Sequence, residues 1–224
     1  MRHFAEIRAV SFDVGGTLID PWPSVGHVYA EVARKHGLKQ LSADELNRRF
    51  AEAWKERGGF EYTRADWAEV VDRTFAGLTE EPPSRTFFDE IYRRFDQPDS
   101  WRVYEDVLPT LRVLTERKFK LAVISNWDER LRPLLKRLDL SRHFAAIMIS
   151  IEVGCRKPAP GIFRRAAAAL DLPPQAILHV GDNGNEDFAG AQTAGFRALL
   201  LNRTGRPAES HCLRHLMELT TLLS

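Results

Sequence analysis

Apolar runs alternate with amphipathic segments along most of the chain, and this order predicts its fold. Residues 8–14 form the first apolar run, which contains the β-branched and aromatic residues that strands favour. From about residue 104 onward, segments with helical spacing alternate with the apolar runs KLAVIS, AIMIS, AILHV and RALLL. Because strands that alternate with helices over short connections form parallel sheets, we predict an α/β fold with a doubly wound parallel sheet.

A long helical stretch interrupts this alternation after the first strand. Between about Ser24 and Phe95 the apolar positions have helical spacing only, and they divide into four amphipathic segments. The second segment opens with Ser42 and Glu45 at the spacing of a capping box. We therefore predict an α/β core made of residues 1–20 and 100–224, with an all-helical domain inserted at residues 21–99.

Composition and charge narrow the classes of partner. The chain has 224 residues, of which 44% are hydrophobic, and its 32 basic and 31 acidic residues give a net charge of +1. No basic block with interleaved aromatic residues occurs, so we expect no nucleic-acid partner. We expect no membrane partner either, because no apolar run approaches the roughly 18 residues that cross a bilayer. Cys155 and Cys212 have no CxxC spacing and indicate a reducing, cytoplasmic environment.

Polar residues stand at the ends of the predicted strands, where open parallel sheets bind their ligands. They are Asp13 and Thr17 after the first strand, Ser125 and Asn126 after KLAVIS, Lys157 before the helix that follows AIMIS, and Asp182 and Asp187 after AILHV. Taken singly, each could be a turn acid, a helix cap or a solvated side chain. Because they recur at successive strand ends, we predict that they form one site that holds an anion against a divalent metal.

With these motifs, the chain resembles the haloacid dehalogenase-like (HAD) superfamily, in the branch that carries a C1-type helical cap after the first strand. The segments AVSFDVGGT, KLAVISNWD, ISIEVGCRKP and ILHVGDNGNED correspond in order to the four motifs of that superfamily. The resemblance covers essentially the whole chain. It implies a Rossmann-like core with a cap domain, and a Mg²⁺-dependent hydrolase that acts on a small phosphorylated substrate.

The resemblance also implies a role for each motif residue. Asp13 would be the nucleophile, and it would form an aspartyl-phosphate that divides the reaction into two easier steps. Lys157 would neutralise the phosphoryl group and the nucleophile. The other implied roles are Mg²⁺ binding by Asp13, the Gly15 carbonyl and Asp182, direct or water-mediated metal binding by Asp187, phosphate binding by Ser125 and the Asn126 amide, and positioning of the first loop by Thr17.

Gly15 departs from the pattern of the phosphatases in this superfamily, which usually carry a second Asp two residues after the nucleophile. That acid protonates the leaving oxygen, and such help is worth about 10²–10⁴ in rate. A phosphatase without it needs a substrate with a good leaving group or another proton donor. In the inserted domain, His27, Tyr29 and Glu45 are candidates for that donor, although packing or a surface position is an equally ordinary role for each.

Two other functions also fit a glycine at position 15. A haloacid dehalogenase does not need the acid, because a halide leaves without a proton, but it has no use for the metal motif. A catalytically inactive binding or regulatory module would need neither the second acid nor the metal motif. Because Asp182 and Asp187 are both present, we rank the phosphatase first, the inactive module second and the dehalogenase third.

Overall fold

A parallel sheet of six strands forms the centre of the computed structural model, which describes residues 4, 6–205 and 211–224. The strands in chain order are β1 (Ala9–Phe12), β2 (Ile19–Pro21), β3 (Trp101–Val103), β4 (Lys120–Ser125), β5 (Ala146–Ile149), β6 (Ile177–Gly181), β7 (Arg197–Leu201) and β8 (Cys212–Leu213). The central sheet has the order β5-β4-β1-β6-β7-β8, and its strands pair in parallel. The predicted α/β fold with a doubly wound parallel sheet is confirmed.

The helices follow the predicted alternation with the strands. In chain order they are α1 (Val25–Lys35), α2 (Ala43–Lys55), α3 (Arg64–Thr74), α4 (Phe88–Arg94), α5 (Val107–Glu116), α6 (Leu131–Arg137), α7 (Ser150–Val153), α8 (Pro160–Leu170), α9 (Gly190–Thr193) and α10 (Glu218–Leu222). The segment before α9 differs from the prediction, because Gly184–Ala189 forms a π-helical turn rather than the start of a regular helix. No helix within the described residues has both the length and the apolar character that a bilayer crossing requires.

The chain divides into two compact units. One contains residues 1–19 and 103–224, and the other contains residues 20–102 with α1–α4. These limits differ by one and three residues from the predicted boundaries after residues 20 and 99. The difference has a local cause, since the two chain segments that connect the units pair as β2 and β3, and each division falls inside that small sheet.

Side-chain caps begin the first three helices of the inserted unit. Ser24, Ser42 and Thr63 each accept a hydrogen bond from a backbone N–H in the first helical turn. The capping box predicted for Ser42 is formed only in part, because the Glu45 side chain binds Arg49 instead of reaching back. A complete capping box occurs at the start of α3, where Thr63 and Asp66 satisfy each other's backbone N–H groups.

Both faces of the central sheet are buried, as expected when helices cover a parallel sheet on both sides. On one face, Ala9, Ala122 and Ile124 pack against α8 and α9. On the other face, the alternate residues Val10 and Phe12 are fully buried as well. Because β1 lies between β4 and β6, the carboxyl ends of these three strands are neighbours, and this arrangement brings the predicted site residues to one edge of the sheet.

Candidate active site

Asp13 follows β1 directly, and its backbone N–H continues the sheet by donating to the carbonyl of Val180 at 2.9 Å. Its side chain is buried. The Asp13 Oδ1 atom accepts a hydrogen bond from Ser125 Oγ at 3.0 Å and one from Lys157 Nζ at 2.6 Å. Ser125, at the end of β4, and Lys157, which precedes α8, therefore meet at Asp13.

The Lys157 ammonium lies between two carboxylates in the protein interior. Its Nζ atom donates to Asp13 Oδ1 and to Asp187 Oδ1, each at 2.6 Å, and the side chain is almost fully buried. The Asn126 side chain fixes the backbone of this lysine: Oδ1 accepts from the Lys157 N–H at 2.7 Å, and Nδ2 donates to the Lys157 carbonyl at 3.0 Å. In this structure the Asn126 carboxamide positions Lys157.

Asp187 is held by donors on both of its carboxylate oxygens. Besides Lys157, Oδ1 contacts His179 Nε2 at 3.1 Å, and Oδ2 accepts from the Asn183 N–H at 3.0 Å. Because a carboxylate only accepts, His179 must donate through Nε2 and accept the Ser11 hydroxyl at Nδ1, 2.9 Å away. A buried chain of hydrogen bonds thus extends from Ser11 on β1 to Asp187.

Three carboxylates converge at the edge of the sheet. One oxygen from each of Asp13, Asp182 and Asp187 lies within 4.8 Å of the other two. Glycines make this approach possible: a Cβ on Gly16, which has a φ of +73°, would lie 2.4 Å from Asp182 Oδ2. A Cβ on Gly181 would lie 2.2 Å from Asp187 Cγ. Any larger residue at either position would displace a carboxylate from the cluster.

Burial and charge set the protonation of these groups. Burial raises the pKa of Asp13 although the charge of Lys157 opposes the shift. Burial also disfavours charge on Asp187, but Lys157 and His179 outweigh it and lower the pKa of that carboxyl. Partial burial and the negative charges of Asp13 and Asp187 raise the pKa of Asp182, which reaches solvent, to about 7.

Lys157 and His179 have opposite protonation tendencies. Burial alone would lower the pKa of the Lys157 ammonium, but Asp13 and Asp187 outweigh this and raise it, so the lysine is charged. Burial lowers the pKa of His179, which keeps its imidazole neutral. One positive charge therefore faces three carboxylates, and the cluster as a whole favours a further cation.

Thr17 and Gly15 occupy the loop after β1. Thr17 is fully buried, and its Oγ1 atom has no hydrogen-bond partner within the part of the chain that the structure describes. The Thr17 carbonyl accepts from Arg203 Nη2 at 2.7 Å, and the same guanidinium binds Asp106. Gly15 forms a parallel bridge with Ile19. The loop is therefore held through backbone contacts.

Sequence reasoning missed two residues of the site. His179 lies inside the apolar strand β6 and binds Asp187, and its signal in the sequence is a histidine within an otherwise apolar run. Glu186 accepts from Asn126 Nδ2 at 3.0 Å, and burial raises its pKa. Its position beside Asp187 gives no indication of a contact with the end of β4.

The proton donors considered in the inserted unit all have ordinary structural partners. Tyr29 is buried and its ring packs against Phe75. Glu45 forms an ion pair with Arg49, and the ring of His27 contacts the Oγ atom of Ser24, the residue that caps the same helix. Within the inserted unit, these contacts are those of ordinary packing and surface residues, which is the alternative role considered for each.

Similarity to known proteins agrees with the fold and the motifs. The family model described as haloacid dehalogenase-like hydrolase matches residues 7–195. Haloacid dehalogenase-like hydrolase domain-containing protein 3 of Bos taurus is 32% identical over 212 residues, which cover 90% of this chain and 84% of that protein.

Two further similar proteins are named for different reactions, one for phosphate hydrolysis and one for dehalogenation. Glyceraldehyde 3-phosphate phosphatase of Methanopyrus kandleri is 32% identical over 213 residues, covering 88% of this chain and 84% of that protein. A 2-haloacid dehalogenase structure from Pseudomonas syringae has a TM-score of 0.68 and 25% identity, with 97% of this chain and 98% of the other covered. The dehalogenase structure shares the fold, and the family model spans most of the chain. The chain therefore belongs to the haloacid dehalogenase-like hydrolase family.

Proposed function

We propose that this hydrolase is a Mg²⁺-dependent phosphatase, in which Asp13 takes the phosphoryl group from a small phosphorylated substrate and passes it to water. The observation that carries the proposal is the cluster of three carboxylates around Lys157. One oxygen of each of Asp13, Asp182 and Asp187 lies within 4.8 Å of the others, and Lys157 Nζ lies 2.6 Å from two of these side chains. Such a cluster is costly to bury unless it binds a ligand.

Mg²⁺ fits the chemistry of this donor set. It prefers oxygen ligands and is commonly held by one or two carboxylates with waters and substrate phosphate. Asp13, Asp182 and the Gly15 carbonyl would hold the ion, with Asp187 bound directly or through water. When bound, Mg²⁺ neutralises negative charge on the phosphate and on the attacking carboxylate. The cluster has three carboxylates and one ammonium, so part of its negative charge is left for a metal ion to balance.

The protein residues supply orientation and the nucleophile. Both side-chain donors on Asp13, Ser125 and Lys157, bind Oδ1, and we assign the attack on phosphorus to Oδ2. As the Oδ2–phosphorus bond forms, the bond to the leaving oxygen breaks and its electron pair stays on that oxygen. Water then attacks phosphorus and gives up a proton to the solvent. The Oδ2–phosphorus bond breaks, its electron pair returns to Asp13, and inorganic phosphate leaves. Throughout, Lys157 stabilises negative charge at the site.

The metal motif favours this function over dehalogenation. Halide displacement by a carboxylate involves no phosphate, so it gives no reason to keep Asp182 and Asp187 beside the nucleophile. The phosphatase named among the similar proteins also supports phosphoryl chemistry. The absence of a nucleic-acid partner and the cytoplasmic location stay predictions from composition.

A substrate panel with and without Mg²⁺ tests the proposal. We expect the protein to release phosphate from p-nitrophenyl phosphate with Mg²⁺, to stop in EDTA, and to release no chloride from 2-chloropropionate. Asp13→Asn should reduce phosphate release to background while the melting transition is retained. Asp99→Asn is the matched control, because Asp99 is an exposed partner of Arg94 in the other unit.

Three results would contradict the proposal. Chloride release without phosphate release would assign the protein to the dehalogenases. If a folded sample with Mg²⁺ hydrolysed neither substrate, the result would favour the inactive module. Phosphate release that survives Asp13→Asn would remove Asp13 as the nucleophile.

A further inference from the structure

The indole of Trp127 lies against the position where a side chain on Gly15 would begin. A Cβ on Gly15 would be 3.3 Å from Trp127 Cζ3 and 4.0 Å from Cη2, both in the six-membered ring. The first distance is shorter than ordinary van der Waals contact between carbons, which lies near 3.5–4.0 Å. The ring therefore takes space beside Gly15 that a side chain at this position would need.

A side chain at position 15 would meet this ring, but it would meet no obstacle in the backbone conformation. Gly16 has a φ of +73°, in the left-handed region that favours glycine, whereas the φ of Gly15 lies outside that region. An L-residue could therefore adopt the backbone conformation of Gly15 without the strain it would meet at Gly16. What opposes a side chain at position 15 is the aromatic ring.

The backbone of Trp127 is fixed on both sides. Its N–H donates to Ser150 Oγ at 3.0 Å, and its carbonyl accepts from the same hydroxyl at 3.1 Å and from the Ile151 N–H at 3.3 Å. The preceding residue, Asn126, is bound to the backbone of Lys157. The loop after β4 thus fixes the backbone from which the indole extends toward Gly15.

We propose that Gly15 and Trp127 together determine which leaving groups the site accepts. Gly15 carries no proton donor, and the indole of Trp127 occupies the space that a proton-donating side chain at position 15 would need. The substrates are then phosphate esters or anhydrides whose leaving oxygen is stable as an anion, namely the oxygen of a phenol or of a carboxylic acid. This inference rests on the proposed phosphatase function.

The chemical reason lies in the fate of the leaving oxygen. When its bond to phosphorus breaks, that oxygen keeps the electron pair, and an alkyl alcohol then needs a proton that no residue at position 15 can give. General acid catalysis contributes about 10²–10⁴ in rate, so alkyl phosphates should be slower than aryl phosphates by at least the same factor. Phenolate and carboxylate leave without that help.

The steric part of the inference is tested without any turnover. In Mg²⁺-free buffer, we expect Gly15→Ala to lower the melting temperature by about 2–4 °C in the natural protein. In a Trp127→Ala background the same change should be neutral or raise it, because alanine restricts the unfolded chain. Trp127→Leu serves in the same way where the alanine variant is too unstable. Equal shifts in both backgrounds would overturn the steric pairing.

The specificity part is tested with phosphate esters of graded leaving-group acidity. With Mg²⁺, kcat/KM should fall steeply from p-nitrophenyl phosphate to phenyl phosphate to an alkyl phosphate, and acetyl phosphate separates the acyl class from the aryl class. The double variant Gly15→Asp with Trp127→Ala should raise alkyl phosphate turnover about 10²-fold or more, as expected for a restored acid. Gly15→Asp alone should gain much less, because the ring remains. Trp101→Phe, in the other unit, is the control for loss of an indole.

The outcomes distinguish this inference from the proposed function. A flat series that still depends on Asp13 would overturn the inference and leave the phosphatase function standing. An equal gain from Gly15→Asp with and without Trp127 would also overturn it. Absence of Asp13-dependent turnover on every ester would overturn both.

Discussion

The two units of the chain both bury apolar side chains, but they differ in the charged side chains that they bury. In residues 20–102, all of which are described, the interior is aromatic and aliphatic, and apart from tyrosines its buried polar side chains are the hydroxyls of Thr74 and Ser100. Charged residues of that unit form ion pairs at its surface, such as Lys35 with Glu90 and Arg48 with Glu52. The other unit buries Asp13, Lys157 and Asp187 together beneath the end of its sheet.

This difference separates residues that stabilise the protein from residues that are retained for chemistry. Removing charges from water costs several kcal/mol for each ion, and an apolar replacement of similar volume is often as stable or more so. A fold can therefore form without such a cluster, as the inserted unit shows. The buried charges in the α/β unit are better explained by what they bind than by what they stabilise.

The largest effect should come from Lys157→Met, which removes the one ammonium between two buried carboxylates. Breaking a buried ion pair from one side leaves an uncompensated charge, so we expect the free energy of unfolding to fall by about 3–5 kcal/mol, measured by urea denaturation without Mg²⁺. Lys35→Met is the matched control in the other unit. Lys35 is exposed and its pairs with Glu31 and Glu90 are screened by water, so its loss should hardly move the midpoint. Equal destabilisation by the two variants would contradict the comparison.

A smaller effect should come from Gly26→Ala, which tests close packing in the inserted unit. A Cβ on Gly26 would lie 2.1 Å from the Ala43 carbonyl oxygen and 2.7 Å from the Asn47 backbone nitrogen, so α1 or α2 must shift. Overpacking of this kind costs about 1–3 kcal/mol, and a thermal melt should show it. Gly58→Ala is the control, because nothing lies within 4 Å of a Cβ there. A melting temperature that Gly26→Ala leaves unchanged would mean that the helices separate freely.

The sequence was a good guide to which strand ends carry the site. Asp13, Ser125 and Asp182 could be placed together because the carboxyl ends of parallel strands share one edge, whatever the order of the strands. The order itself, with β1 between β4 and β6, depends on which apolar faces pair, and periodicity does not specify it. The strands β2, β3 and β8 were missed because two or three residues give no period to detect.

Contacts between side chains from distant segments were beyond prediction. Trp127 and Gly15 are separated by 112 positions, and their contact depends on how the loop after β4 is held by Ser150. The Glu186 contact with Asn126 has the same character. Local contacts were more predictable, and Ser42 caps its helix as expected. The Glu45 side chain binds Arg49 rather than the backbone, and residue spacing alone does not predict which of these two partners it contacts.

The smallest and most specific effect should come from Asp182→Asn. Its effect on the melting temperature should depend on pH and on Mg²⁺. The pKa of Asp182 is raised from 3.8 to about 7, so the folded protein without metal binds a proton more tightly at this site than the unfolded chain does. A raised carboxyl pKa means that stability is lost as the pH rises from about 4 through about 7. Asp182→Asn should therefore leave the melting temperature nearly unchanged at pH 4 and raise it at pH 8 in EDTA.

Mg²⁺ should reverse this advantage, because binding to the folded state alone stabilises the natural protein in proportion to RT ln(1 + [Mg²⁺]/Kd). At pH 8 the melting temperature of the natural protein should rise as Mg²⁺ is added, and that of Asp182→Asn should hardly respond. Asp99→Asn, at an exposed ion pair, should follow the natural protein in both buffers. If Asp182→Asn were instead less stable at pH 8 in EDTA, or gained as much from Mg²⁺ as the natural protein, the carboxylate would be a structural group. The comparison holds that the α/β unit keeps its charged cluster for binding, whereas the inserted unit, which is described in full, buries no charged side chain. That result would contradict it at Asp182, the most exposed carboxylate of the cluster.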